Sequence, residues 1–154
     1  MSAPYLQRFR VLYSDLDTNG HVANTSYLRY SLDTRVGYLL ANGLTAEMMR
    51  ESGFGPVVFR EELTYRKELF AAEDIEVRYW VRSLNADGIR FDLCTAIHRQ
   101  DGELAARVDI QGGWMNLARR RLQRGLVPRL HGLRTAEIEI EEFPGDDQFL
   151  DQLR

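Results

Sequence analysis

The sequence predicts an α+β domain in which one long helix lies against an antiparallel sheet. Three observations carry this prediction: one long segment of helical periodicity, several segments in which apolar and polar residues alternate, and short turns between those segments. Short turns join antiparallel neighbours, whereas parallel strands need long crossovers. A long helix followed by such a meander packs on one face of the sheet. The 154 residues fit one domain with a sizeable core.

The N-terminal half predicts a strand, a polar loop and the long helix. Apolar residues at period two indicate a strand over Leu6–Tyr13. The helix is predicted over Asn24–Ala41, with Asn24 or Thr25 as its N-cap and Gly43 at its C-terminal end. A short second helix is expected over Ala46–Glu51 after Thr45. The apolar stripe of the long helix is predicted to comprise Leu28, Leu32, Val36, Leu39 and Leu40.

The remaining chain predicts four strands and an acidic end. The predicted strands are Val57–Leu69, Ile75–Arg82, Ile89–Ile97 and Leu104–Arg119, with turns at Asn85–Gly88 and Gln100–Gly102. The adjacent Gly112 and Gly113 predict a bulge or a sharp bend. We expect one domain over residues 1–125 and an acidic extension over 126–154, which either belongs to the same domain or is a separate tail. Within it, Glu137–Glu141 reads as a solvated tail or a short edge strand.

Composition excludes several classes of protein. A formal net charge of -3 provides no general attraction to nucleic acid or to anionic membranes. The single cysteine, Cys94, excludes an intrachain disulfide framework. We find neither a signal-peptide pattern over Met1–Gln7 nor an apolar run of the ~20 residues that a membrane-spanning helix needs. The expectation is a cytoplasmic protein.

The densest polar cluster lies where the first strand meets the long helix. Residues 13–27 contain two carboxylates, Asp15 and Asp17, together with His21, Asn19 and Asn24. A helix N-terminus offers unpaired N–H groups and the positive end of the helix dipole, which can stabilise a developing oxyanion. A carboxylate beside it can attack a carbonyl or activate water. The cluster therefore supplies both parts that acyl transfer needs, although turn formation and helix capping are the ordinary uses of such residues.

The sequence argues against three other chemistries: a calcium loop, a zinc site and a cysteine nucleophile. The run from Asp15 to Gly20 matches the opening of a calcium loop, but Ser26 stands where the bidentate glutamate is required. A strand also precedes the loop, where a helix is needed. The three histidines, at positions 21, 98 and 131, form no short-range pair for zinc. Cys94 and His98 stand four apart on one strand, too distant for a nucleophile–base pair.

The segment from Tyr13 to Tyr30 resembles a known signature. It reads Y-S-D-L-D-T-N-G-H-V-A-N-T-S-Y-L-R-Y, and it is similar to the pattern Y-x-D-x-D-x-x-G-H-V-N-N-x-x-Y-L-x-Y of the 4-hydroxybenzoyl-CoA thioesterase-like hotdog family. The likeness extends through Leu63–Leu69 and Glu73–Val77 and can be followed over most of residues 5–120. The resemblance implies a hotdog fold, in which a curved antiparallel sheet of about five strands wraps a long central helix.

The resemblance also implies an activity and a set of site residues. The family hydrolyses acyl-CoA thioesters to free acid and CoA. Asp17 matches its catalytic carboxylate, acting as nucleophile or as general base, and Asn24 matches the helix N-terminal position whose N–H binds the thioester carbonyl. Gly20 and His21 match the turn between them. Ala23 departs from the pattern, which has Asn there.

Substrate contacts and assembly follow from the same resemblance. Thr25 and Tyr27 are candidate substrate contacts at the start of the helix, and Arg66, Lys67 and Arg119–Arg121 are candidates for the CoA phosphates. Neither metal nor cofactor is expected. The family implies a homodimer, joined through sheet edges with active sites at the dimer interface, or a homotetramer. The alternative function is a non-catalytic module that binds acyl-CoA or acyl carrier protein, and a calcium-binding protein is a more distant one.

Overall fold

A computed structural model describes residues 4–85 and 88–122. The predicted order of strand, long helix, short helix and four strands is confirmed. The acidic extension and the predicted boundary at residue 125 lie outside the described residues, as does the middle of the turn at 85–88. The elements are β1 (Tyr5–Arg10), a 3-10 helix (Tyr13–Asp15), α1 (Asn24–Ala41), α2 (Ala46–Ser52), β2 (Phe54–Tyr65), β3 (Asp74–Leu84), β4 (Arg90–His98), β5 (Leu104–Asn116) and β6 (Arg121–Leu122).

The strands form one antiparallel sheet in the order β1-β3-β4-β5-β2, with the short β6 paired to the end of β5. Sequential strands pair through short turns for β3, β4 and β5, as predicted. β1 instead pairs with β3, although the two helices and β2 lie between them in the chain. The sheet curls around α1, and this arrangement confirms the predicted hotdog fold. Neither α1 nor α2, the helices of the described segments, has the length and apolarity needed to cross a bilayer.

The glycine pair of β5 serves close packing, and the bulge lies in the neighbouring strand. A Cβ on Gly112 would lie 2.4 Å from the Phe91 ring and 2.4 Å from the carbonyl oxygen of Val57. The register of the β2–β5 pair shifts between Val58 and Arg60, opposite this glycine. The expectation of a bulge within β5 is therefore corrected: β2 carries the extra residue, while glycine lets two backbones and an aromatic ring approach.

The face of α1 that packs on the sheet differs from the predicted stripe. Leu32, Val36 and Leu40 are 48%, 44% and 50% exposed, so the prediction that they face the sheet is wrong. Leu28 and Leu39 do pack against the core. The buried residues of α1 are Ser26, Tyr27, Tyr30, Ser31 and Thr34.

Hydrogen bonding explains why small polar residues occupy the buried face. The Ser31 hydroxyl donates to Thr95 Oγ1 of β4 at 3.1 Å, and the Thr34 hydroxyl donates to the Tyr30 carbonyl oxygen at 2.8 Å. Both hydroxyls are thus satisfied without water, and their small size lets the helix lie close to the sheet. Hydrophobic periodicity does not detect such a face, because it assigns serine and threonine to the surface.

Candidate active site

The chain leaves β1 through a turn that is closed by a side chain. The N–H of Leu12 donates to the Asp15 carboxylate at 2.9 Å, and the N–H of Asp15 donates back to the Leu12 carbonyl oxygen at 3.0 Å. These bonds replace strand pairing, so the expected continuation of the first strand to Tyr13 is wrong. Tyr13 instead lies in the 3-10 helix and is 82% exposed.

A small closed loop carries Asp17. A bridge between Leu16 and Val22 closes the loop, and the N–H of Asp17 donates to the His21 carbonyl oxygen at 2.8 Å. The N–H of Gly20 donates to the Asp17 carbonyl oxygen at 3.1 Å, and Gly20 has a φ of 80°. Because that conformation favours glycine, the predicted turn around Gly20 is confirmed.

The Asp17 side chain is exposed and directly follows the Leu16–Val22 bridge that closes this loop. Its Oδ1 accepts a hydrogen bond from the N–H of Asn19 at 2.8 Å, an Asx turn that orients the carboxylate. The structure therefore places Asp17 where an incoming molecule can reach its carboxylate.

Helix α1 begins without a side-chain cap. Its N-cap residue is Ala23, so the prediction that Asn24 or Thr25 caps the helix is wrong. The reason is the bond from the Ala23 N–H to the Asp15 carbonyl oxygen at 2.8 Å, which holds Ala23 in an extended conformation and makes Asn24 the first helical residue. The Ser26 N–H donates to the carbonyl oxygen of the cap residue Ala23 at 2.9 Å, and no side chain of that residue covers the N–H groups of Asn24 and Thr25, which precede Ser26. This end of α1 can therefore accept an oxyanion.

The second carboxylate of the loop, Asp15, is buried at 5% exposure. Its Oδ2 accepts the Leu12 N–H and the Tyr30 hydroxyl, the latter at 2.6 Å, while its Oδ1 accepts a charged hydrogen bond from Arg29. Burial alone would raise the pKa of Asp15, but the bonds from Tyr30, Leu12 and Arg29 and the charge of Arg29 hold the pKa below its ordinary value. The group is an ionised acceptor surrounded by donors.

Sequence reasoning missed this buried cluster. Asp15 stands among other polar residues of segment 13–27, and Tyr30 stands outside the predicted apolar stripe of α1. The only available signal was the alternation Asp15-Leu16-Asp17, which turns the two carboxylates in opposite directions if the chain is extended. Helical spacing alone does not identify Arg29 and Tyr30 as hydrogen-bond partners of Asp15.

Other predicted site residues lie around the loop. The His21 ring packs edge-to-face on Phe70 with 5.4 Å between centroids. Tyr27 is buried, packs edge-to-face on Tyr65 at 5.2 Å, and burial raises the pKa of its hydroxyl to about 12. The Tyr27 side chain is therefore neutral and packed in the protein interior, whereas Thr25 is exposed at the first turn of α1.

The basic candidates fall into two places. Arg66 and Lys67 begin the connection from β2 to β3, which touches the loop where the Val22 N–H donates to the Leu69 carbonyl oxygen at 2.9 Å. Lys67 Nζ lies 3.8 Å from a carboxylate oxygen of Glu103. Residues 119–121 follow the far end of β5, beside the start of β2. Since β2 has 12 residues, the two groups lie at opposite ends of a strand that spans at most about 40 Å.

The rival chemistries find little support in this geometry. Asp15 already meets three protein donors, so it is not free to ligate a cation with Asp17. Within residues 4–85 and 88–122, no three His, Cys, Asp or Glu side chains group as metal ligands. Cys94 is buried, and burial and the charge of Asp109 raise the pKa of its thiol to about 11, which opposes a thiolate nucleophile.

Sequence comparison links the chain to known proteins. The family model of the thioesterase-like superfamily matches residues 11–153. A protein described as a putative esterase from Aquifex aeolicus is 29% identical over 82 residues, which are 53% of this chain. That match spans 64% of the relative's length.

Solved structures share the fold. A Staphylococcus aureus protein solved in complex with CoA superposes with a TM-score of 0.80 at 17% identity, over 91% of this chain and 90% of that one. A 1,4-dihydroxy-2-naphthoyl-CoA thioesterase from Synechocystis superposes with a TM-score of 0.78 at 15% identity, over 87% and 98% of the two chains. These superpositions establish a common fold, and the family model, which matches most of the chain, establishes the family. The chain belongs to the thioesterase-like superfamily, a family named for the hydrolysis of thioesters.

Proposed function

We propose that the protein is an acyl-CoA thioesterase with Asp17 as its catalytic carboxylate. One observation carries the proposal: an exposed carboxylate stands on a closed loop that ends directly at an uncapped helix N-terminus. The family match supports the reaction class. The CoA complex and the naphthoyl-CoA thioesterase among the structural neighbours support CoA as the carrier of the acyl group.

Asp17 has two ways to perform the reaction. As a nucleophile it attacks the thioester carbonyl, the carbon–sulfur bond breaks, and CoA leaves as a thiolate that is later protonated. Water then hydrolyses the mixed anhydride and releases the acid. As a general base it takes a proton from water while the water oxygen attacks, and the proton passes to the CoA sulfur. Both routes yield free acid and CoA.

The start of α1 stabilises the oxyanion in either route. Negative charge develops on the carbonyl oxygen as the tetrahedral carbon forms, and N–H groups at a helix N-terminus meet it favourably. Asn24 is the first helical residue, so its N–H is the candidate donor. A thiolate is a good leaving group, so the chemistry requires no strong acid.

Arg66 and Lys67 are the proposed binding residues for the CoA phosphates, in the same chain as the loop that meets the thioester. Both residues lie on the connection that touches the loop, and Lys67 is half-exposed. Arg119–Arg121 lie beyond the opposite end of β2. In a shared active site, these arginines would therefore come from the second chain.

A shared site agrees with the exposed edge of the sheet. β2 closes one side of the described sheet, and an edge strand of 12 residues is a liability unless another strand covers it. Val58, Phe59 and Tyr65 on this strand are 44%, 48% and 47% exposed. We propose a homodimer joined through β2. The alternative of a homotetramer would use the outer stripe of α1 formed by Leu32, Val36 and Leu40.

A hydrolysis screen tests the proposed function. Aromatic and aliphatic acyl-CoAs are incubated with the full chain, and released CoA is measured with a thiol-reactive dye. We expect turnover of at least one substrate, abolished in Asp17→Asn. Asp101→Asn is the matched control, because Asp101 also accepts the N–H two residues ahead, from Glu103 at 3.0 Å, in the β4–β5 turn outside the Asp17 loop. Acyl-CoA binding without hydrolysis would favour the binding module instead.

A further inference from the structure

The Asp15 cluster joins the loop to α1 through both backbone and side chain. The Asp15 carbonyl oxygen accepts the Ala23 N–H at 2.8 Å and the Ser26 hydroxyl at 3.1 Å. The Asp15 carboxylate accepts the Tyr30 hydroxyl and Arg29 from the next turn of the helix. One residue is therefore bonded to α1 at its N-cap and in its first two turns.

Asp17 has no comparable attachment of its own. Its side chain bonds only to the N–H of Asn19 among the described contacts, and its main chain bonds to His21 and Gly20 inside the same loop. These bonds shape the loop but do not orient it toward α1. The orientation relative to the helix is set where Asp15 enters the loop and where Val22 leaves it.

The hydroxyl of Tyr30 is the most restrictive of these bonds. Tyr30 is 1% exposed and sits in the core beside Phe9, with 5.2 Å between ring centroids. A packed ring holds its hydroxyl at one point, whereas the Arg29 side chain is 43% exposed and has more freedom. The buried carboxylate therefore has one position in which all of its donors are satisfied.

We propose that Asp15 is a positioning residue, which, through the Tyr30 hydroxyl, holds the Asp17 loop in register with the N-terminus of α1. The inference rests on the proposed function. Its consequence is specific: loosening the Asp15–Tyr30 bond displaces the attacking carboxylate from the oxyanion donors, which lowers kcat while leaving substrate binding unchanged. Displacements on the order of 1 Å reduce rates by up to about 10²-fold.

Adjacent residues of α1 provide a matched pair of variants. Tyr30→Phe and Ser31→Ala each remove one buried hydroxyl from neighbouring positions of the same helix. The Tyr30 hydroxyl donates to Asp15, and the Ser31 hydroxyl donates to Thr95 on β4 and does not touch the loop. A merely structural role for the Tyr30 hydroxyl predicts equal behaviour of the two variants.

The experiment measures kcat, KM and melting temperature for both variants on the best acyl-CoA. We expect Tyr30→Phe to lose about tenfold in kcat with KM within about twofold, and Ser31→Ala to keep its kcat despite a lower melting temperature. Asp15→Asn/Tyr30→Phe should be no slower than Asp15→Asn alone, since both changes break one bond. If Tyr30→Phe does not fold, Arg29→Gln replaces it, with a smaller expected loss of kcat.

Three results would overturn the inference: full kcat in Tyr30→Phe, an equal loss of kcat in Ser31→Ala, or losses that multiply in the double variant. An Asp17→Asn enzyme with wild-type activity would instead refute the proposed catalyst. The two failures are therefore distinguishable in one set of assays.

Discussion

The two carboxylates of the loop stand two residues apart and have opposite surroundings. Asp15 is 5% exposed and accepts bonds from Leu12, Arg29 and Tyr30. Asp17 is exposed and accepts a single described side-chain bond, from the N–H of Asn19. The first has its bonding capacity satisfied inside the protein, whereas the second remains available to a substrate. In the proposed mechanism, the same functional group serves as an anchor at Asp15 and as the reagent at Asp17.

This contrast indicates how a loop can hold a reactive group in place. Exposed loops are usually mobile, because few contacts hold them. Here the closed tip around Asp17 follows a buried, charged anchor, so a solvent-exposed carboxylate is carried on a fixed base.

The largest expected effect belongs to the exposed half. Asp17→Asn keeps the size of the side chain but removes its charge, and we expect kcat to fall on the order of 10²-fold or more. The melting temperature should stay within about 2 °C, since an exposed substitution usually changes stability by less than about 0.5 kcal/mol. Steady-state kinetics and a thermal melt on the same preparation check this. Retention of more than about half the rate would rule out Asp17 as the catalyst.

Substitution of the buried carboxylate, Asp15, should lower the stability of the fold, unlike substitution of Asp17. In Asp15→Asn an amide NH₂ faces groups that are themselves donors, so we expect a loss of about 2–3 kcal/mol in the free energy of unfolding. Urea unfolding of Asp15→Asn, Asp17→Asn and the wild type measures the difference. Equal stability of all three would contradict the anchor.

The oligomeric state tests whether a second chain completes the site around the exposed Asp17. We expect light scattering to give about twice the 17.8 kDa chain mass or a higher multiple at micromolar concentration. Val58→Lys on the β2 edge should weaken the assembly, because it places a charge where the partner strand would pair. Leu6→Lys, an exposed position on the opposite edge strand, is the control and should leave the mass unchanged. A wild-type monomer would refute the shared site.

Acid should remove the contribution of Asp15 to the free energy of unfolding. Because the folded-state pKa of Asp15 is depressed below its unfolded value, its stabilisation is present above about pH 4 and is lost as pH falls through the folded pKa. The gap in unfolding free energy between wild type and Asp15→Asn should therefore narrow from pH 7 toward pH 3. A gap that is constant over this range would mean that charge plays no part.

The smallest expected effect is that of metal. Asp15 is occupied by protein donors, so calcium cannot gather Asp15 and Asp17 around one ion without breaking them. EDTA and millimolar calcium should each leave the melting temperature and the hydrolysis rate unchanged. A rise of several degrees with calcium, or inactivation by EDTA, would overturn the metal-free mechanism.

Local patterns in the sequence predicted most of the elements. Alternation identified the strands, and helical spacing with Gly43 and Thr45 located both helices; Thr45 caps α2 by accepting the Met48 N–H at 3.2 Å. These signals are local because propensity, capping and turn chemistry act over a few residues. The signature around Asp17 likewise identified the loop and the family from contiguous residues.

Only the tertiary structure decided which residues those elements bury. Leu32, Val36 and Leu40 had the hydrophobicity of a core face, yet Ser31 and Thr34 occupy it, because their hydroxyls find partners only once strand and helix meet. The family resemblance singles out Asp17 as the candidate catalyst, but nothing local marks Asp15 as buried until folding brings Tyr30 and Arg29 to it. The sequence by itself determined the order of elements and the position of the loop that carries both carboxylates. The division of that loop into one buried and one exposed carboxylate depends on contacts between residues 14 and 15 positions apart, which no local pattern encodes.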